Sequence, residues 1–514
     1  MAGVGDLPAE LVLMILRFAV GEPAATLRGW RARLPLLAVC RQWRRLACRL
    51  VHGQALVERR AGGGWGSNLG LAAALGLEGC VRHLVLDAQA AATGAVVRAH
   101  PRACAAVQSL AIRGGPDDCA AAADGGGGGA AAAAAAAHGG DASSALSGLA
   151  ALLPSVTRLY VGTCAGAVGG RLADALAGQL CRIGCQAPVA LQCARLAGGL
   201  THLSLALGRG PGGQLPRVCA PTLRVLRLAR VPPRFAWGAF GGSDICFERL
   251  VELQLLFRSP APEDDGDDGC AAPPPRLRFP RLRRCHVEGC PPHGAPFAAA
   301  QLPAAMDSLT LAGAPEAALA LSRTGLARVG ALAVRVQLAG ADQRALYGAL
   351  DRLYGQVRVA GEAALALAHR RAELDLGCAA WPRVTRLSIH GPCDLAAVAG
   401  LVERAACLRR LEVYALALDR LPAAVAMPDP ADDAAPPLPP LPSRIETLTL
   451  YADADADCAP PAAAAAAAVR CLLLRLPLLK RANLSGALGV HPAALGRAFG
   501  RRYPHIAAAL VKVY

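Results

Sequence analysis

Leu223-Arg224-Val225-Leu226-Arg227-Leu228 and, further along, Leu250-Val251-Glu252-Leu253-Gln254-Leu255 share one arrangement: apolar, two residues, apolar, one residue, apolar. The closing alternation puts every second side chain on one face of an extended strand, and the earlier leucine belongs to the turn beneath it. The arrangement returns upstream as Val81-Leu84-Leu86, Val107-Leu110-Ile112, Val156-Leu159-Val161 and Leu200-Leu203-Leu205. Downstream it returns as Leu282-Cys285-Val287, Met306-Leu309-Leu311, Val329-Leu332-Val334, Val384-Leu387-Ile389, Leu408-Leu411-Val413 and Ile445-Leu448-Leu450. Steps between central residues include 26 (84 to 110), 23 (203 to 226), 27 (226 to 253) and 24 (285 to 309, and again 387 to 411). A unit of that length cannot cover its own apolar face, so neighbours must stack into a continuous core.

The period and the LxxLxL core resemble leucine-rich repeats. The resemblance implies an α/β solenoid with parallel strands on the concave face and helices outside. Alanine- and leucine-rich stretches at 171–180, 317–326 and 395–406 read as the outer helices. The family's asparagine after the LxL is absent; Cys164 and Cys290 stand at that position in two units, and Gly, Ala or Ser lies nearby in most others. The repeats are therefore degenerate and the solenoid irregular. The widest gaps between central residues are 49 (110 to 159) and 55 (332 to 387); the second holds weaker strand candidates at Val357-Val359 and Leu374-Leu376. Inserts near 117–145, 259–276 and 426–443 are Gly/Ala-rich, acidic then Pro-rich, and Pro-rich, and read as solvated loops.

The beginning of the chain has a different period. Leu7, Leu11, Ile15 and Phe18 recur at helical spacing, with Asp6 as N-cap, Pro8 in the first turn and Glu10 near the positive end of the dipole. Leu36, Val39, Cys40 and Trp43 repeat the pattern, with Arg41, Arg44 and Arg45 on the wet side. Two such helices bury too little to stand alone. The LPxEL opening, the pair Ile15-Leu16 and the closing Val39-Cys40-Arg41-Gln42-Trp43-Arg44-Arg45-Leu46 resemble an F-box. That family's small helical bundle docks on a Skp-type adaptor, which binds a cullin. The resemblance implies adaptor contact through Leu7, Pro8, Leu11, Ile15, Leu16, Leu36, Val39, Cys40 and Trp43. The spacer 21–34 is longer and more basic than expected. The plain alternative is an N-terminal helical hairpin packed on the next domain.

The expected organisation is an F-box-like motif over 1–55, a linker or cap over 56–78, the repeats over 79–480 and a helical cap over 481–514. The net charge of +16 rests almost wholly on arginine, Lys480 and Lys512 being the only lysines. An Ala-Gly-Arg-Pro excess of this kind follows from a GC-rich coding sequence, and the basic residues form no dense arm. No signal-peptide order and no membrane-length apolar run is visible, and 19 scattered cysteines suit reduced, buried thiols; a cytoplasmic or nuclear site is expected.

Tempting chemistry fails on spacing. Asp264–Gly269 and the Asp453, Asp455, Asp457 alternation lack the residues a calcium loop needs, and Cys285, Cys290 and His293 form at most half a zinc site. Cys181, Cys185 and Cys193 read as lying around a helix, and Gly62-Gly63-Gly64 follows no strand. No active-site motif is present, so neither enzymatic activity nor a cofactor is expected. Three functions remain. The first is a substrate receptor of a cullin-type ubiquitin ligase, with the repeats holding a target protein. The second is a repeat scaffold without a role in ubiquitination. The third, disfavoured for want of interleaved aromatics, is nucleic-acid binding through Arg281, Arg283, Arg284, Arg501 and Arg502.

Overall fold

The computed structural model describes residues 11–12, 14–15, 54–59, 65–74, 76–88, 91, 95–113, 146–162, 166–185, 199–207, 220–231, 244–258, 276–290, 300–313, 315–321, 323, 326–338, 343–368, 376, 381, 383–417, 440–452, 469–484 and 510–513. The chain divides into two units, residues 1–250 and 251–514. Each is α/β, built on a mostly parallel sheet with few helices.

In the first unit, β1 (Gln54–Arg59) and β2 (Trp65–Ser67) form an antiparallel hairpin, and β1 also pairs in parallel with β3 (His83–Asp87). From there β4 (Ser109–Arg113), β5 (Arg158–Val161), β6 (Arg182–Cys185), β7 (His202–Ala206) and β8 (Val225–Val231) follow in parallel, each beside its predecessor. A short β9 (Asp244–Cys246) comes near the end. Helices α1 (Leu69–Ala74), α2 (Ala95–Arg98), α3 (Pro101–Ala105) and α4 (Gly166–Ala175) lie in the connections.

The second unit repeats the design. Strands β10 (Glu252–Phe257), β12 (Arg284–Cys290), β14 (Ala305–Gly313) and β15 (Arg328–Gln337) run in parallel, with β11 (Arg276–Arg278) paired to β13 (Ala300–Gln301) apart from them. The ladder continues through β17 (Ala363–Ala368), β18 (Arg386–His390), β20 (Arg410–Ala417), β21 (Thr447–Ala452), β22 (Arg481–Leu484) and β23 (Leu510–Val513). The two-residue strands β16 (Arg358–Val359) and β19 (Cys393–Asp394) pair with β15 and β20. Helices α5 (Pro315–Leu321), α6 (Gln343–Gln356) and α7 (Leu395–Arg404) lie between strands, and the Asp394 side chain caps α7 by accepting from the Ala397 N–H.

The apolar triplets of the sequence become straight rows. Leu84, Leu110, Leu159, Ile183, Leu203 and Leu226 are Cα partners from strand to strand. All are almost fully buried, as are the turn residues Val81, Val107, Val156, Leu180, Leu200 and Leu223. Burying each such side chain is worth about 1.5–3 kcal/mol, so the rows supply the cohesion between coils. Backbone hydrogen bonds also register neighbouring strands. The N–H groups of Thr157 and Arg158 both donate to the Gln108 carbonyl, and those of Cys181 and Arg182 both donate to Thr157. The device recurs at Arg409 and Arg410 on Thr385 and at Lys480 and Arg481 on Glu446, using both lone pairs of one carbonyl.

Crowding is greatest around β14 and β15. A Cβ on Gly330 would stand 2.4 Å from the Asp307 carbonyl oxygen, so only glycine fits there. Gly289, at φ +72°, absorbs the register shift between Glu288 and Cys290 on β12.

Three expectations change. Cys181 and Cys185 do not flank a helix: Leu180, Ile183 and Cys185 build a further unit, with Cys185 buried in β6. The gap after Leu332 is filled by β17 at residues 363–368, whose alternating Ala-Leu reads equally as helix in sequence. Of the expected candidates there, Val359 lies in β16, Leu376 is in 3-10 conformation rather than a strand, and 374–375 fall outside the described residues. Where a helical cap was expected after residue 481, the described ends of that segment are β22 and β23, which extend the ladder. The sheet also begins earlier than the first triplet, at β1, so a strand does precede Gly62-Gly63-Gly64, and β1 and β2 reach into the span expected to be a linker or cap. Helix α7 falls where the sequence places an outer helix, and α5 overlaps another. The inserts 117–145 and 259–275, the aspartate clusters, His293, Cys193, Arg501 and Arg502 lie outside the described residues.

Candidate functional site

Of the residues expected to meet an adaptor, Leu11 and Ile15 are described, and both are helical. Leu11 is 43% exposed, Ile15 40% and Met14 60%, whereas Val12 between them is fully buried. Positions 11, 14 and 15 share one helical face, so the helix turns Val12 inward and leaves an apolar patch in water. Leu7, Pro8, Leu16, Leu36, Val39, Cys40 and Trp43 lie outside the described residues.

The solvent side of the second ladder carries the densest arrangement of polar and aromatic groups. In one row Arg386 and Arg410 are Cα partners, in the next Ser388 and Glu412, then Glu412 and Thr449. Glu412 is only 4% exposed. Its carboxylate accepts from the Ser388 hydroxyl at 2.7 Å and from Arg410 Nε at 2.7 Å and Nη2 at 2.6 Å. Arg386 approaches it at 3.5 Å and also lies 3.8 Å from Glu362. Burial pushes the Glu412 carboxyl up, but the hydrogen bonds from Ser388 and Arg410 and the two guanidinium charges outweigh it and hold the group below the usual glutamate range.

One row further along these strands the rings stack. His390 and Tyr414 lie 4.3 Å apart between centroids at 8°, and Tyr414 and Tyr451 lie 5.5 Å apart at 16°. Those separations bracket the strand spacing of about 4.8 Å, because each ring stands on its own strand and the sheet sets the interval. Burial pushes the Tyr414 phenol up, with Glu412 and Tyr451 adding to it.

Two rows on the solvent side of the first unit are basic, while the row beyond them pairs Asp87 with Arg113. His83, Ser109, Arg158, Arg182, His202 and Val225 form one row, and Val85, Ala111, Tyr160, Gly184, Ser204 and Arg227 the next. Neither row contains a carboxylate. Burial and then the Arg158 charge lower the pKa of His83. The Tyr160 ring leans over Gly184, where an added Cβ would meet its Cδ1 at 3.0 Å.

Among the described cysteines, Cys104, Cys185, Cys285, Cys393 and Cys471 are buried, Cys80, Cys181 and Cys407 are half-buried and Cys246 is exposed. Burial pushes the thiols of Cys104, Cys185 and Cys285 up to about 12. Cys285 fills a strand position, and no cluster of three or more metal-ligating side chains occurs among the described residues. Arg284 of the suggested nucleic-acid set is paired with Glu252 at 3.0 Å. No helix among the described residues is long and apolar enough to cross a membrane.

The stack and the Glu412 cluster were not among the expected site residues. Their only sequence signal is the recurrence of Arg, His and Tyr at outward strand positions, and it becomes visible once the register is known. No protein-family model and no curated protein matches the chain.

Proposed function

We propose that the protein is a substrate receptor of a cullin-type ubiquitin ligase, its N-terminal helices acting as an F-box and its parallel ladder as a degenerate leucine-rich-repeat solenoid. In this reading the helices hold a Skp-type adaptor and the solvent side of the ladder holds a target protein, so the chain contributes proximity and orientation while partner enzymes supply the chemistry. The observation that carries it is the water-exposed patch of Leu11, Met14 and Ile15 beside buried Val12, since an apolar helix face left in solvent is the mark of a docking surface. The ladder with rows of polar and aromatic side chains supports the second half of the reading.

The direct test is binding of purified full-length protein to a purified Skp-type adaptor. A stable complex on size exclusion, weakened at least tenfold by Leu11→Asp with Ile15→Asp, is the expected result. Absence of a complex with the unaltered chain would leave a repeat scaffold that takes no part in ubiquitination.

A further inference from the structure

The aromatic row stops abruptly. Next to His390 on β18, the Cα partner on β17 is Ala368, and beyond it on β15 stands Gln337. The neighbouring rows repeat the step: Ala366 lies between Arg335 and Ser388, and Ala364 between Ala333 and Arg386. Strand β17 therefore presents three methyl groups, all half-buried, as the floor of a furrow one strand wide. Its walls are Arg335 and Gln337 on one side and Arg386, Ser388 and His390 on the other. At about 4.8 Å per strand the walls stand roughly 10 Å apart, which leaves room for the thickness of one planar ring. Such a ring over Ala368 would sit one strand interval from His390 and extend the existing series of Tyr451, Tyr414 and His390.

The electrostatics select the ring's neighbours. Around the furrow stand the guanidiniums of Arg335, Arg386 and Arg410 and the carboxylates of Glu362 and Glu412. Glu412 is held by Arg410, and Arg386 is shared between the two carboxylates. Arg335 is exposed and makes no ion pair among the described residues, so the surplus positive charge sits on the wall facing His390. Burial and the Arg335 charge, opposed by Glu412, lower the pKa of His390, which leaves a neutral imidazole face at neutral pH. An offset-stacked aromatic pair gains beyond its buried area, and a carboxylate on Arg335 adds a charge-assisted bond.

We propose that this furrow is a docking slot for an aromatic side chain flanked by carboxylates, presented by an acidic peptide segment of a partner protein. The partner would be the target of the receptor described above, and to that extent the slot rests on that reading. The peptide sits with its ring over Ala368 against His390 and its acidic neighbour on Arg335.

The test is calorimetric titration of the full chain with three synthetic peptides: Ser-Glu-Phe-Glu-Ser, the same peptide with alanine for phenylalanine, and the same with glutamine for both glutamates. Only the first is expected to bind measurably. Ala368→Leu, which fills the slot from a half-exposed position, should weaken it at least tenfold, and Arg335→Glu about as much, while Ala368→Ser retains binding. Both weakened variants should keep the circular dichroism and the adaptor binding of the unaltered protein. Equal binding of the phenylalanine and alanine peptides, unchanged affinity in Ala368→Leu, or no binding of the first peptide overturns the slot. Binding of adenosine monophosphate in place of the peptide does so too. Peptide binding by a chain that takes no adaptor overturns the receptor reading alone and leaves the slot standing.

Discussion

The two ladders are built on the same rungs but differ on their solvent sides. In the first unit Tyr160 leans across the strand and covers the small residue beside it, Gly184, so aromatic and vacancy cancel. In the second unit His390 likewise faces the next strand, where it stacks on Tyr414, but its small neighbour Ala368 lies on the preceding strand and is left half-exposed. The charges differ in the same sense. Arg158, Arg182 and Arg227 line rows without a carboxylate, whereas Arg386 and Arg410 are organised around Glu412. A parallel ladder fixes the spacing of side chains and leaves their chemistry free, so one backbone design gives a diffuse basic face in one place and a structured recess in the other.

Substitutions on the two faces should differ in their cost. The largest effect is expected from Gly330→Ala, whose Cβ would strike the Asp307 carbonyl. The Asp307 backbone, held in the ladder, cannot swing aside as a side chain could, and thermal unfolding should reveal a loss of about 3 kcal/mol. Glu412→Gln should cost about 1–3 kcal/mol at neutral pH by breaking charge-assisted bonds in a covered position. Because the folded carboxyl titrates below its unfolded value, its contribution is complete above the unfolded pKa and is lost as pH falls through the folded one. Urea unfolding of the two proteins should thus begin to converge as pH falls below about 4.3 and coincide only below the lower pKa of the folded carboxyl, and a difference that persists undiminished at that acid limit would remove the charge from the explanation. Tyr414→Ala takes away both stacked pairs, about 0.5–1.5 kcal/mol each, and should do so without changing the first unit. Gly184→Ala belongs at the bottom of the scale, under about 1 kcal/mol, because the exposed Tyr160 ring can swing aside. A large loss there would mean that the ring is held in place and that the two faces are more alike than described.

The fold was legible where physics is local. Apolar residues two apart on a strand, preceded by one in the turn, announce themselves in any single unit, and Leu84, Leu159, Leu226, Leu309 and Leu411 are all buried as that pattern requires. It failed where alternation is ambiguous. The Ala-Leu run of β17 has both periods, and β6 hides its unit behind Gly184 and a cysteine. At the end of the chain helix-forming alanines outweighed short strands such as Arg481–Leu484 that gain their stability only from the neighbour already in place. The helical state of Leu11 and Ile15 was legible from their spacing, and both side chains are exposed. The His390, Tyr414 and Tyr451 row was not legible, since residues 24 and 37 positions apart meet only through the register of three strands.

Recruitment of ligase machinery by the exposed helix face, as proposed above, can be read by affinity capture of the full chain from cells, beside Leu11→Asp with Ile15→Asp, followed by mass spectrometry. A Skp-type adaptor and a cullin are expected with the unaltered chain, both lost from the variant, with other captured proteins shared by the two. Neither adaptor nor cullin with the unaltered chain, or both retained undiminished by the variant, would contradict it.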